Sequence, residues 1–353
     1  MTIKVKFPIS KRICTVRTFT GMLSLKLALR KDKNAVIFID AGFHAQNTLV
    51  LPNGIFCEII TGGEVSKNWD ALGKILQILC KRKHERSARI IAVGGGAFCD
   101  LVAMAASLYR RGSPLVLVPT TLLAQLDASV GGKTAVDAEF DGRLVKNFAG
   151  TFYPAEEVWL CPEVLTSLSE QERRSGVGEL LKMLWLFGAK FDEEILQLWI
   201  KNGQIHKKFW KYVEFAIQAK AKIVEKDPYD TKRIRECLNY GHTVGHAIES
   251  LGDRALSHGE AIAWGMWVES AYVSAQFSQE ILVCLQNLGF SLPSFLREVA
   301  ASDFLPFFMD DKKMKKGKLA FTVVKAPGQR KLVWVYPKDL AEFLEKFFAK
   351  SYE

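Results

Sequence analysis

Three of the chain's six histidines, His242, His246 and His258, fall within seventeen positions. The segment from Asn239 through Gly241 and His242 to Glu249 has helical character after Gly241. A spacing of four residues points His242 and His246 to one helix face. His258 opens a further apolar helical run, from which it can face back across a turn. Earlier in the chain, Glu179 and Lys182 lie three apart in a stretch rich in Leu, Met and Trp. A carboxylate among such neighbours must be paired, protonated or metal-bound. Two histidines and one glutamate leave a coordination position open for water or substrate, as catalytic metals require. Such nitrogen and oxygen ligands suit zinc, and cobalt or manganese less distinctively. The plainer alternative is that the histidines satisfy core hydrogen bonds while Glu179 pairs with Lys182; no HExxH motif is present to decide.

Two further segments are built from residues that bind oxyanions. Ile91-Ala92-Val93 runs into Gly94-Gly95-Gly96 and then a helical pattern through Asp100. Glycines let a backbone approach a pyrophosphate, and the helix start behind them favours anions. The spacing is not GxGxxG, so a tight strand–helix turn explains it as well. Pro119-Thr120-Thr121 leads through Asp127 to Gly131-Gly132-Lys133-Thr134, shortly after Arg110-Arg111-Gly112. Hydroxyls, glycines, a lysine and arginines are an oxyanion-binding repertoire, or else a polar loop with an exposed lysine.

The elements that must position these residues change character along the chain. Val36–Ile39, Phe56–Ile60, Ile90–Val93 and Leu115–Val118 read as strands, and 67–80 as a helix. Continuous apolar strands alternating with helices imply a parallel sheet of βαβ units. From about 160, helical spacing dominates over 169–187, 190–201, 205–226, 232–251 and 258–278. The expected architecture is therefore α/β plus all-α. An α/β domain over 1–155 is followed by a mainly helical domain over 156–353, since 353 residues exceed what one core usually supports.

The composition narrows the classes of function. Hydrophobic residues make up 49% and charged residues 24% of the chain, and no apolar run approaches the ~20 residues of a membrane span, so no membrane partner is expected. The start, MTIKVKFPISKRIC, lacks a secretory apolar stretch, and the seven scattered cysteines show no CxxC spacing. A cytoplasmic protein with reduced thiols is expected. The net charge of +10 is spread out, with no aromatic-interleaved basic stripe, so no nucleic-acid partner is expected. A positive surplus also suits an enzyme that steers a small, multiply anionic substrate.

Taken together, the segments resemble the 3-dehydroquinate synthases, sugar-phosphate cyclases of the shikimate pathway. The matching stretches are GGGAFCD (94–100), RRG (110–112), PTTLLAQLDASVGGKT (119–134), GVGELLK (176–182), RECLNYGHTVGHAIES (235–250), SHGEAIAWGM (257–266) and MDDKKMKKGKL (309–319). The resemblance implies an NAD-carrying Rossmann-like domain, a helical domain carrying Zn2+ or Co2+, and an anionic sugar-phosphate substrate. By position it implies Glu179, His242 and His258 as metal ligands. It gives Lys133, Lys182, Arg235, Asn239 and His246 catalytic roles, with His246 as a proton relay. Lys146, Asn147, Lys220 and Lys312 match substrate contacts, and Arg111 matches an arginine that reaches a phosphate from a partner subunit, which implies a homodimer. Gly63, Glu64, Lys67, Gly95, Gly96, Asp100, Thr120, Thr121 and Asp127 match cofactor-side positions.

The chain departs from the family pattern at Cys99 (usually glycine), Asp137 (usually asparagine), Gln171 (usually arginine) and in a longer segment between Lys133 and Lys146. No departure touches an implied metal ligand. Rival expectations are another cyclase of the superfamily, such as a 2-deoxy-scyllo-inosose or valiolone synthase, or a metal-dependent alcohol or glycerol dehydrogenase. Lys220, Asn239 and the Asp311-Lys312-Lys313 run favour the dehydroquinate synthases among the cyclases.

Overall fold

The structure is a computed structural model that describes residues 1–7, 12–47, 55–252, 256–309 and 314–351. Lys312, a candidate substrate contact, lies outside the described residues. The chain divides into two compact units, Met1–Ser169 with Lys220–Thr231, and Glu170–Ala219 with Lys232–Glu353.

The first unit begins with β1 (Thr2–Phe7), β2 (Arg12–Thr18) and α1 (Met22–Lys31). It continues through β3 (Val36–Asp40), α2 (Ala41–Asn47), β4 (Phe56–Ile60), α3 (Trp69–Lys81), β5 (Ile90–Gly94) and α4 (Gly96–Leu108). Then follow β6 (Leu115–Pro119), α5 (Leu122–Leu126), β7 (Lys133–Phe140), β8 (Arg143–Phe152) and β9 (Glu157–Leu160). Among the described residues the main sheet has seven strands in the order β1-β2-β9-β6-β5-β3-β4, parallel except for β1 at one edge. Ile90–Val93 and Leu115–Val118 are buried throughout, because helices cover both faces of a parallel sheet. The chain pairs β4 outside β3 and then crosses to place β5 on the other side of β3. That reversal is a topological switch point, where open α/β sheets bind ligands beyond the carboxyl ends of their strands. β9 pairs with both β2 and β6, which carries the first unit past residue 155, the boundary expected from sequence. The longer segment after Lys133 forms the β7–β8 hairpin. It turns at Asp141-Gly142, where positive φ at both positions is the geometry of a tight two-residue connection.

The second unit contains α6 (Glu170–Phe187), α7 (Glu193–Asn202) and most of α8 (Lys207–Lys226), whose last turns, from Lys220, belong to the first unit. After a 3-10 turn over Ile234–Asn239 come α9 (His242–Leu251), α10 (His258–Ala271), α11 (Ala275–Asn287) and α12 (Ala301–Met309). The hairpin β10 (Leu319–Ala326) and β11 (Gln329–Val335) and the helix α13 (Pro337–Ser351) complete it. The helix read over 232–251 is thus two elements. Gly241, at φ +80°, turns the chain between them, a conformation that costs glycine little. Likewise 258–278 ends as one helix at Ala271 and resumes at Ala275, where Ser274 caps α11 by accepting from Phe277 N. Among the described residues no helix is long and apolar enough to cross a membrane.

Candidate metal centre and cofactor edge

In the second unit α10 is buried from Gly259 to Ser270 and packs against both α6 and α9. The contact with α6 is made backbone to backbone. A Cβ on Gly259 would lie 1.8 Å from the Ser175 carbonyl oxygen, and one on Gly178 would lie 2.0 Å from that of Gly259. This approach brings Glu179 of α6 to the first residue of α10, His258, while α9 supplies His242 and His246. Ser257 and Glu260 form a capping box that starts α10 at His258.

Glu179, 2% exposed, divides its two oxygens. Oε2 lies 2.6 Å from Lys182 Nζ, while Oε1 lies 3.4 Å from His242 Nε2 and 3.5 Å from His258 Nε2. Both halves of the question left by the sequence are therefore present: Glu179 pairs with Lys182 and also meets two imidazoles. The latter separations are long for a direct N–H···O bond. They match the ~3.4 Å between neighbouring ligands that share a tetrahedral ion at about 2.1 Å. The ligand-capable nitrogens of His242, His246 and His258 also lie within 4.8 Å of one another.

The far nitrogens of two of these rings are tied down. His242 Nδ1 is 3.2 Å from the Tyr240 carbonyl oxygen, and His258 Nδ1 is 3.0 Å from Glu249 Oε2. Acceptors at both positions place the protons on Nδ1 and leave each Nε2 to face Glu179. Sequence spacing identified neither Tyr240 nor Glu249 in this role, although Glu249 closes the same motif. The electrostatics are strongly coupled. Burial would raise the pKa of Glu179, but Lys182, His242 and His258 outweigh it and hold the carboxylate well below its usual value. Burial and then Lys182 hold His242 well below the usual imidazole value. Burial opposes charge on His258, yet the Glu179 and Glu249 carboxylates beside it raise it to about 10. Two nitrogens and a carboxylate oxygen, all oriented by outer partners, fit a divalent ion of borderline softness.

Arg235 is buried, and Asn239 half-buried, on the 3-10 turn that leads to α9, with Thr322 of β10 donating to the Glu236 carbonyl. His246 is the exposed member of the imidazole cluster.

In the first unit the cofactor-side candidates gather past the carboxyl ends of β4, β5 and β6. Gly63 and Glu64 follow β4, Gly95 caps α4, and Thr121 caps α5 by accepting from Ala124 N. Thr120 N donates to the Gly94 carbonyl across the edge. The glycine that packing demands here is Gly94, whose Cβ would fall 2.5 Å from Phe98, whereas Gly95 and Gly96 would meet only ordinary contacts. Close strand–helix packing and an open backbone edge thus occupy successive glycines. Lys67 Nζ donates to Asp100 Oδ2 and to Asn147 Oδ1, both at 2.6 Å. Asn147 stands at φ +53° opposite a break in the β7–β8 register, and its N–H donates to Asp137 Oδ1 at 2.6 Å. Asp137, one of the departures, is thus engaged by the β8 backbone through an acceptor that asparagine would also offer. Lys220 is buried and pairs with Asp127 Oδ1 at 2.5 Å, and Lys133 pairs with Asp230 at 2.5 Å. Asp40, not singled out from sequence, ends β3 at the switch point and accepts from Gly42 N. Arg110 and Arg111 both adopt positive φ, with Arg111 exposed. The turn is pinned by Ser113 N donating to Ala106 O and Tyr153 OH donating to Ser113 O.

Residues 57–175 match the family model described as 3-dehydroquinate synthase N-terminal, and 176–314 match its C-terminal counterpart. The chain belongs to the 3-dehydroquinate synthase family. A 3-dehydroquinate synthase of Alkaliphilus metalliredigens is 33% identical over 328 residues, covering 90% of this chain and 89% of the relative. One of Campylobacter concisus is 37% identical over 319 residues, covering 87% and 89%. Among solved structures, a 2-deoxy-scyllo-inosose synthase complexed with carbaglucose-6-phosphate, NAD+ and Co2+ superposes with a TM-score of 0.78. It is 22% identical and covers 98% of this chain and 99% of its own. The 2-epi-5-epi-valiolone synthase of Streptomyces hygroscopicus, with NAD+ and Zn2+ bound, gives 0.81 at 22% identity, covering 95% and 96%. These structural likenesses speak to the fold, as does that of a Schizosaccharomyces pombe glycerol dehydrogenase, with a TM-score of 0.66, 15% identity and coverage of 94% and 89%.

Proposed function

We propose that the chain is a carbon–oxygen lyase that converts 3-deoxy-D-arabino-heptulosonate 7-phosphate to 3-dehydroquinate and phosphate, using NAD and a divalent metal, Zn2+ or Co2+. The observation that carries this reading is the convergence of Glu179, His242 and His258 on one point in a chain matching both halves of the family. Glu179, His242 and His258 hold the ion, and the edge formed by Gly95, Gly96, Thr120, Thr121 and Asp100, with Gly63, Glu64, Lys67 and Asp127, holds the dinucleotide. When bound, NAD supplies a hydride acceptor that is regenerated in each turnover, and the ion supplies Lewis acidity to the substrate oxygens. The chain's own residues bind and orient. Lys182, held against Glu179, presents one ammonium beside the ion site, and Lys133, Lys146, Asn147, Lys220, Arg235 and Asn239 present cations and amides to the carboxylate, hydroxyls and phosphate. His246 moves a proton near the leaving phosphate. Arg111 serves the phosphate of a partner subunit, so the working form is a homodimer. The seven free cysteines accord with a reducing, cytoplasmic setting.

The test is release of inorganic phosphate from the heptulosonate phosphate by metal-loaded protein with NAD. Phosphate should appear without net accumulation of NADH and should stop on chelation. Net NADH from a simple polyol without phosphate release would assign the chain to the dehydrogenases instead.

A further inference from the structure

Helix α9, which carries His242 and His246, starts without a cap of its own. Its N-cap position is Gly241, which has no side chain to accept from the first free N–H groups. Gly241 is fixed by two demands: it turns at φ +80°, and a Cβ there would fall 2.5 Å from Met266 Cγ and 2.6 Å from the Ile262 carbonyl oxygen. The missing acceptor comes from α10. Glu269, 1% exposed, accepts from Gly241 N through Oε2 at 2.6 Å and from Val244 N through Oε1 at 3.0 Å. Beside it, the Tyr240 hydroxyl lies 2.6 Å from Ser270 Oγ and donates to the Met266 carbonyl. Tyr240 is the residue whose own carbonyl oxygen orients His242.

A buried carboxylate costs several kcal/mol of desolvation unless its oxygens are satisfied. An ordinary serine or aspartate cap would close a helix at far lower cost. What the Glu269 arrangement adds is a fixed register between two antiparallel helices. Glu249, near the end of α9, holds His258 at the start of α10, and Glu269, near the end of α10, holds the start of α9 at His242. Each imidazole facing Glu179 is thus placed by a carboxylate on the opposite helix.

We propose that Glu269 is a positioning residue for the metal set, fixing His242 through the backbone of Gly241 and Val244 so that its Nε2 meets Glu179 and His258. The inference rests on the metal-site reading above. Its test is Co2+ affinity, measured by chelator competition and by the visible spectrum of the bound ion, without turnover. Wild-type protein is expected to bind one Co2+ per chain, and His242→Ala should lose it. Glu269→Gln should keep its far-ultraviolet circular dichroism but bind Co2+ about 10–100-fold more weakly, with an altered spectrum, as removal of an outer-shell partner does. Ile281→Val, a core truncation in α11, serves as a comparator that lowers the melting temperature while leaving affinity unchanged. If Glu269→Gln does not fold, Glu269→Asp carries the test with charge retained, and a loss of at least about fivefold is expected of a partner whose reach has shortened. Unchanged affinity in a folded Glu269 variant overturns the proposal while leaving the metal site intact. Failure of wild-type protein to bind Co2+ overturns the metal-site reading as well.

Discussion

His246 shares a helix face with His242, yet its ring is the exposed one while His242 and His258 are half-buried. A proton relay must reach solvent and substrate. His246→Ala is therefore expected to retain one Co2+ per chain and lose phosphate release by roughly 10²–10⁴-fold. Loss of the ion would make His246 a ligand, and wild-type turnover would dismiss the relay. Asp100 carries a different consequence, for stability. Burial pushes its pKa up to about 6 against the pull of Lys67. A raised carboxylate means that between about pH 4 and 6 the folded chain keeps a proton the unfolded chain has released. Stability is then full below about pH 4 and falls as pH rises to 6, by at most about 3 kcal/mol. In cofactor-free protein, wild type should lose melting temperature relative to Asp100→Asn across that window. Parallel melting curves would dismiss the linkage. The sequence made Asp100 visible as a position but not this shift, which depends on what the fold buries around it.

Helix contacts decide the sign of substitutions that local propensity would misjudge. Replacing a helical glycine by alanine on an exposed face stabilises by roughly 1 kcal/mol. At Gly259 the new Cβ would meet the Ser175 carbonyl oxygen at 1.8 Å, and backbone on both sides cannot give way. Gly259→Ala is therefore expected to destabilise, by about 3 kcal/mol or more, and to weaken metal binding because α6 and α10 carry Glu179 and His258. Thermal melts and Co2+ titration check both effects, and a variant as stable as wild type would refute the contact. The apolar periods of α6 and α10, and the buried runs of β5 and β6, were legible from spacing alone. The break at Gly241 was legible only in part: helical character begins after Gly241, yet the spacing drew one helical segment over 232–251. Glu269 was hidden altogether. A carboxylate 27 residues from His242 in sequence acquires its partner only when α9 and α10 pack, and no local pattern announces that.

At the level of the whole molecule, a surplus of ten positive charges suits a substrate carrying a phosphate and a carboxylate, with basic candidates on both units. Arg111 raises the question of how many chains make one site. It sits exposed on a turn where two successive arginines hold positive φ, a conformation costing of order 1 kcal/mol or more at each and retained only where surrounding bonds enforce it. Such enforced exposure suits a side chain directed away from its own core. If Arg111 serves the partner's phosphate, Arg111→Ala and His246→Ala homodimers are each inactive for different reasons. A mixed dimer, coexpressed with two tags and purified on both, pairs the intact His246 of one subunit with the intact Arg111 of the other. One of its two sites is then wild-type, and about half the wild-type phosphate release should return, as two-fold symmetry requires. If Arg111 acts within its own chain, each site of the mixed dimer carries one defect and no activity returns. A purely monomeric protein with full turnover would remove the partner from the site altogether.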